Sequence, residues 1–270
     1  MTTSIPAMSE DIRSNAQRVW ACLCNEARVA SEQQPLLASY FHANILNHAT
    51  FSSAISFFLS QHLANDYLPS MMVRELFVNA MRSDASIEKN MLFDLVAHYT
   101  RDPACEQYMT PFLYFKGYHA IQCYRIAHWL WRQKRVLLAH YMQSRIVELF
   151  DVDIHPAAEI AGGLMLDHAT GVVIGETTII EQNVSMLHAV TLGGTGARVG
   201  KRHPTIRRGV LLSTGAKILG NIEIGEGASV GAGSVVLESM PANSTVVGVP
   251  ARVVGRSRSS TPSLDMDHNS

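Results

Sequence analysis

The sequence predicts an α+β protein in three parts: an all-helical domain over residues 1–150, a coiled β prism over 151–256, and a short flexible tail over 257–270. Three observations carry this. Ile206, Leu212, Ile218, Ile224, Val230 and Val236 fall on a strict six-residue step. Four positions after each stands a second small or aliphatic residue, namely Val210, Ala216, Ile222, Ala228, Ser234 and Met240. Upstream of Asp151, by contrast, apolar residues recur at helical spacing. A period of six fits neither a helix nor a flat amphipathic strand and marks a repeat.

The helical half begins with a leader of about eight residues. From Ser9 onward Ile12, Ala16, Val19, Leu23 and Ala27 step by four, three, four and four, a helical face. Further helices are expected over 34–48, 51–63, 69–82 and 86–99. Thr110-Pro111 reads as a cap followed by a first-turn proline, which loses no amide hydrogen bond there. Gly117 is expected to break that helix. Another follows over 118–133, with Ile121, Tyr124, His128 and Trp131 on one face, and a last one over 136–150.

At Asp151 the composition turns to Gly, Val, Ile and Thr. A chain that turns a corner every six residues makes a three-sided prism, each aliphatic residue stacking on its equivalent one coil further along. Glycine suits the corners, where positive φ carries no steric cost for it. The step starts at Ile154, Ile160 and Leu166, slips by two, and resumes at Ile174, Ile180, Met186 and Leu192. The slip puts Asp167-His168-Ala169-Thr170-Gly171 on an enlarged coil. A second interruption, 193–205, is too polar and glycine-rich for the wall and should project as a loop. In so regular an array, function is expected at the interruptions.

Composition narrows the classes. The 270 residues include 22 basic and 23 acidic ones, with no basic face or tail to suit a nucleic acid. No apolar run approaches the length of a membrane span, and the polar, acidic N-terminus is no signal peptide; a cytoplasmic protein is the expectation. Cys22, Cys24, Cys105 and Cys123 lack metal-ligand spacing and are expected to be reduced.

Two interruptions and two histidines define the candidate site: His168 after Asp167 on the enlarged coil, and His203 after Arg202 in the loop. Asp153 lies fifteen residues before His168, a little under one coil, so a carboxylate beside the imidazole is geometrically reasonable and would make it an effective general base. A solvated corner histidine is the competing reading, and Asp102 on sequence alone reads first as a helix cap before Pro103.

The runs Asp-Ile-His-Pro-Ala-Ala (153–158), Met-Leu-Asp-His-Ala-Thr-Gly (165–171), Thr-Leu-Gly-Gly-Thr-Gly (191–196), Arg-His-Pro (202–204) and Gly-Val-Pro-Ala-Arg (248–252) resemble serine O-acetyltransferase, a hexapeptide-repeat acyltransferase. The resemblance extends through Arg-Asp-Pro-Ala (101–104) and Tyr-Phe-Lys-Gly-Tyr-His-Ala (114–120) and covers roughly 10–256. It implies a left-handed parallel β-helix, an exception to the usual right-handed crossover, and acetyl transfer from acetyl-CoA to L-serine without a metal.

By similarity, His168 withdraws the hydroxyl proton and Asp153 orients it. Asp102 and Asp167 hold the amino group of serine, Arg202 and His203 its carboxylate. A zwitterion does need both signs of charge presented together. Gly194, Thr195, Thr214, Ala216 and Ala232 are the implied coenzyme A contacts. The resemblance also implies feedback inhibition by L-cysteine and a homo-oligomer, a trimer or dimer of trimers with sites between prisms. The family tail enters O-acetylserine sulfhydrylase; this chain matches Pro-Ser-x-Asp-Met-Asp at 262–267 and stops at Ser270, which puts that partner in doubt. The rival readings are a sugar or antibiotic acceptor, a metal enzyme of the γ-carbonic anhydrase type with three histidines across an interface, and a non-catalytic scaffold.

Overall fold

A computed structural model describes residues 12–196, 199–257, 259 and 261–266; the expected leader and residues 267–270 lie outside the described residues. The first half is helical as its periodicity requires. Helices α1 (Ile12–Gln33), α2 (Ala38–Phe41), α3 (Phe51–Leu63), α4 (Ser70–Ser83), α5 (Ala85–Arg101), α6 (Met109–Tyr114), α7 (Lys116–Arg132) and α8 (Val136–Phe150) follow in order. The stretch expected as one helix over 34–48 is instead three short pieces, a 3-10 turn at Pro35–Leu37, α2, and a π turn at His42–Leu46. Thr50 and Asp84 cap α3 and α5 through their side chains.

Two local expectations are corrected. Thr110 does not cap α6: the helix starts at Met109, and the amides of Tyr108 and Met109 donate to the carboxylate of Glu26, at 3.2 and 2.8 Å. The cap comes from α1, which no local pattern could reveal. Gly117 does not break a helix either; the break falls at Phe115, and Gly117 sits in the first turn of α7.

The second half is a three-sided, left-handed parallel β-helix. Its first face holds Val152–Ile154, Val172–Ile174, Thr191–Gly193, Lys217–Leu219 and Val235–Val236. Its second holds Glu159–Ile160, Ile179–Ile180, Thr205–Ile206 and Glu223–Ile224. The third holds Met165–Leu166, Ser185–Met186, Leu211–Leu212, Ser229–Val230 and Ser244–Gly248, closed by antiparallel Ala251–Arg256. The six-residue ladder points inward and is buried, apart from a half-buried Ile160; each such aliphatic contributes roughly 1.5–3 kcal/mol.

Register exposes the interruptions directly. Regular coils pair residues eighteen apart, as in Ile206 with Ile224. The first coil pairs residues twenty apart, Ile154 with Ile174 and Leu166 with Met186. Across the loop the step is twenty-six, Ile180 with Ile206 and Leu192 with Ile218.

One buried carboxylate ties the halves together. Asp94 accepts from Gly163 N and Leu164 N of the prism, from Gln122, and from Arg125, with Arg125 Nη2 at 2.7 Å. Arg125 donates on to the carbonyls of Ile160 and Ala161. Such a pair resists removal of either partner, since the other would be left charged and buried.

The tail is not free over its described residues. Ser257 N donates to Asn243 O, Ser263 N to Gly209 O, and Ser263 Oγ to Asn183 O, so the segment climbs back along one prism edge. It ends in a short helix, α9 (Pro262–Asp265), with Pro262 and Ser263 buried. There it meets Arg101, which donates to Asn183 Oδ1, Val184 O and Ser185 Oγ; the same Ser185 hydroxyl donates to Ser263 O.

Candidate active site

Most of the predicted residues fall on the two edges that border the first face; Asp153 lies on that face, Ala216 inside the prism and Asp102 at the end of α5. The edge between the third and first faces is a column in which Gly171 N donates to Asp151 O, Ala189 N to Thr170 O, Gly215 N to His188 O and Gly233 N to Thr214 O. His168 projects from this column on the enlarged coil, and Thr214 and Ala232 lie along it.

The coil accommodates its two extra residues by folding tightly. His168 and Ala169 both take positive φ, 55° and 59°. Ala169 N donates to Asp167 O at 2.6 Å, and Thr170 N to His168 O at 2.8 Å. Successive γ-type closures in left-handed backbone are strained for non-glycine residues, about 1–3 kcal/mol each, and such strain concentrates at functional sites. Its result is an imidazole held outward, with the side chain 75% exposed.

Near His168 Nε2 stands Asp167 Oδ2, at 3.7 Å, and the His188 ring packs edge-on at 6.0 Å between centroids. The Nδ1 of His188 is buried and makes no hydrogen bond. Asp153 is on the first face, but within this chain its carboxylate takes Gln143 Nε2 at 2.7 Å, and the structure gives it no hydrogen bond or ion pair to His168. Gln143 in turn faces His140 Nδ1 through its carbonyl oxygen. Asp102 ends α5, and its Oδ1 accepts the Ala104 amide at 2.8 Å, so the cap-like turn is real.

Arg202 and His203 lie on the other edge, between the first and second faces. Arg202 Nη2 pairs with the Glu176 carboxylate, which holds that carboxyl below its ordinary range. The amides of Arg202 and His203 both donate to Thr177 Oγ1. Thr177 N donates to His203 Nδ1 at 3.2 Å, so the network assigns the proton to Nε2. Burial, and then the Arg202 charge, lower the pKa of His203. Its ring fills the space left by two glycines: a Cβ on Gly175 would come within 2.1 Å of it, and one on Gly194 within 3.1 Å.

Five residues were expected to touch coenzyme A. Gly194 backs His203, and Thr195 stands over Gly220 on the same edge. Thr214 and Ala232 belong to the His168 edge. Ala216 is fully buried inside the prism, its amide donating to Ser213 O and its carbonyl accepting from Thr191 N. Among the described residues, no group of three or more His, Cys, Asp or Glu is placed to hold a metal ion. No described helix is long and apolar enough to cross a membrane.

Sequence reasoning did not reach Glu176, Thr177 or Gln143, and it read His188 as a histidine without a site role. For Glu176, Thr177 and His188 a signal existed. Glu176 and Thr177 precede Arg202 and His203 by the same twenty-six residues that separate Ile180 from Ile206, and His188 follows His168 by the twenty of the enlarged coil. For Gln143, on a helix packed against the prism, there was none.

Residues 19–123 match the family described as "Serine acetyltransferase, N-terminal", and 203–238 match "Bacterial transferase hexapeptide (six repeats)". A serine acetyltransferase of Escherichia coli strain K12 is 51% identical over 251 residues, 93% of this chain and 92% of that protein. The chain belongs to the serine acetyltransferase family. It is accordingly an acyltransferase, a serine O-acetyltransferase, the family its motifs resemble. A solved serine acetyltransferase in complex with cysteine superposes with a TM-score of 0.93 at 49% identity, covering 94% of this chain and 99% of that one. A serine acetyltransferase from Brucella abortus strain S19 in complex with coenzyme A gives 0.87 at 46% identity, covering 88% and 96%.

Proposed function

We propose that this serine acetyltransferase moves the acetyl group of acetyl-CoA directly to the hydroxyl of L-serine, giving O-acetyl-L-serine and CoA. His168 is the general base: it takes the Oγ proton as Oγ bonds to the thioester carbon, and returns it to the CoA thiolate when the C–S bond breaks. The observation that carries this is the strained, outward-held imidazole beside Asp167 in a chain half identical to a serine acetyltransferase. Asp167 and Asp102 take the amino group of serine; Arg202 and His203 take its carboxylate. Asp153 orients the imidazole, and CoA runs along the first face past Gly194, Thr195, Thr214 and Ala232, while Ala216, buried inside the prism, supports the wall rather than touching the ligand.

The two edges set a condition on this reading. They are separated by one six-residue side of the prism, about five residue steps or roughly 15 Å, and serine is too small to bridge them. The site therefore closes only when the His168 edge of one copy meets the Arg202 edge of another, which suits the expected trimer or dimer of trimers. L-Cysteine carries the same two charged ends as serine and would occupy the same place, in keeping with the cysteine complex of a relative. Acetyl-CoA as donor goes with a cytoplasmic location. A sulfhydrylase partner finds no support here.

The test follows thiol release and O-acetylserine formation from acetyl-CoA with serine and with a panel of sugar alcohols. Serine-dependent turnover that disappears in His168→Ala is expected. No thiol release with serine, or undiminished turnover in the variant, would refute the assignment.

A further inference from the structure

The motif Tyr-Phe-Lys-Gly-Tyr-His-Ala is not used by the chemistry above, yet its lysine and glycine touch the catalytic turn from behind. We infer that Lys116 and Gly117, in the first turn of α7, are positioning residues that hold the His168 turn in its strained shape. The inference rests on His168 being the base.

Two contacts bracket the imidazole. Gly117 lies so close to the coil that a Cβ there would stand 2.2 Å from Leu166 O and 3.0 Å from the Cβ atoms of Leu166 and Ala169. Ala169, fully buried at positive φ, is wedged beneath it. On the far side of the histidine, Lys116 Nζ donates to Thr170 Oγ1. One contact presses residues 166 and 169, and the other ties down 170. His168 is thus fixed at its backbone while its side chain stays free for substrate.

Only a rigid post can hold strain, and α7 is one. Tyr124 OH donates to Ala158 O, the His128 ring bonds Pro156 O at 2.8 Å, and Arg125 joins Asp94 and the prism carbonyls. The helix is fastened to the first coil along its length, so a shift at its first turn cannot be absorbed by sliding. Glycine at 117 is required by close approach, since its helical φ places no demand of its own.

The experiment is steady-state kinetics on Lys116→Met, Lys116→Arg, Thr170→Ala, the Lys116→Met/Thr170→Ala pair, Gly117→Ala and His168→Ala, each with a thermal melt. Lys116→Met should lower kcat about tenfold or more with KM for both substrates within about twofold, because a displaced base costs rate rather than binding. Lys116→Arg should recover most of that loss. The double variant should be no slower than the slower single one, within about twofold, since both changes remove one contact. Gly117→Ala should be slowest, about 100-fold; should it fail to fold, the lysine and threonine cycle decides alone. Wild-type kcat in Lys116→Met, or losses that multiply in the double variant, would overturn the inference. If His168→Ala turns over normally, the base assignment has failed; if it is inactive while Lys116→Met is unimpaired, only the positioning has failed.

Discussion

Chains carrying His168→Ala and chains carrying Arg202→Met should each lose serine acetylation, and should regain it when assembled together. His168 belongs to the edge between the third and first faces, and Arg202 to the edge between the first and second. With about 15 Å of wall between them, no single chain offers both groups to one serine molecule. In a mixed assembly, a competent site needs native His168 from one copy and native Arg202 from its neighbour. For equal amounts assorting at random this probability is a half times a half, about a quarter of the native activity per site, whatever the size of the closed ring.

The assay is co-expression of equal amounts of the two chains, purification of the whole population through one shared tag, and thiol release at saturating substrates. A second mixture separates the alternatives further. Native chains combined with chains carrying both substitutions should also give about a quarter, since both neighbours must be native; sites built within one chain would give about half. Mixed assemblies no more active than their parents, or a value of half in the second mixture, would refute the two-edge argument.

Other expectations concern packing and protonation. Asp94→Ala strands Arg125 and frees two prism amides, and should cost about 3–5 kcal/mol in urea unfolding; a loss under about 1 kcal/mol would show the tie between the halves to be dispensable. Gly175→Ala drives a methyl into the His203 ring, so KM for serine should rise about tenfold or more while KM for acetyl-CoA holds; unchanged serine affinity would remove His203 from the site. His98 and His119 are buried with pKa values pushed down to about 4 from an ordinary 6.5, chiefly by desolvation. Above about 6.5 both states leave them neutral and stability is full; as pH falls toward 4 only the unfolded chain takes up the protons, and stability drops by about 3 kcal/mol per histidine. A urea midpoint equal at pH 7 and 4.5, with no flattening in His119→Gln, would contradict this.

What could be read in advance divides by range. The inward ladder from Ile154 to Val236 was legible because a stacked coil enforces the same period on every turn, and the two slips in that period located the His168 turn and the Arg202 loop. Features set by contact between distant segments were not. Gly117 looked like a helix breaker because glycine's local preference is weak there, while its real constraint is a carbonyl in another domain. Thr110-Pro111 looked like a cap, yet the orphan amides found Glu26 instead. The tail from Ser257 has little to bury, so composition suggested disorder. It docks through hydrogen bonds to Asn243, Gly209 and Asn183 carbonyls, groups that every residue possesses and no composition reveals.

A prism of equivalent edges offers no reason to bind anything at one place, so the departures from equivalence carry the argument. The two insertions fall on different edges, but both edges border the first face. The third face is covered by the helical half and the returning tail through Arg101, Ser185 and Ser263. Beside the second face, Arg207 links Glu181 to Glu223, and Arg208 reaches Glu226, a charged ladder already satisfied within the chain. Helix α8 packs on the first strand of the first face, Val173 on the next strand is 39% exposed, and the face is flanked by the exposed His168 imidazole on one side and the Arg202 guanidinium on the other. Covering that face with a second copy is the arrangement in which both insertions serve one reaction, and the mixed assemblies above are its direct measure.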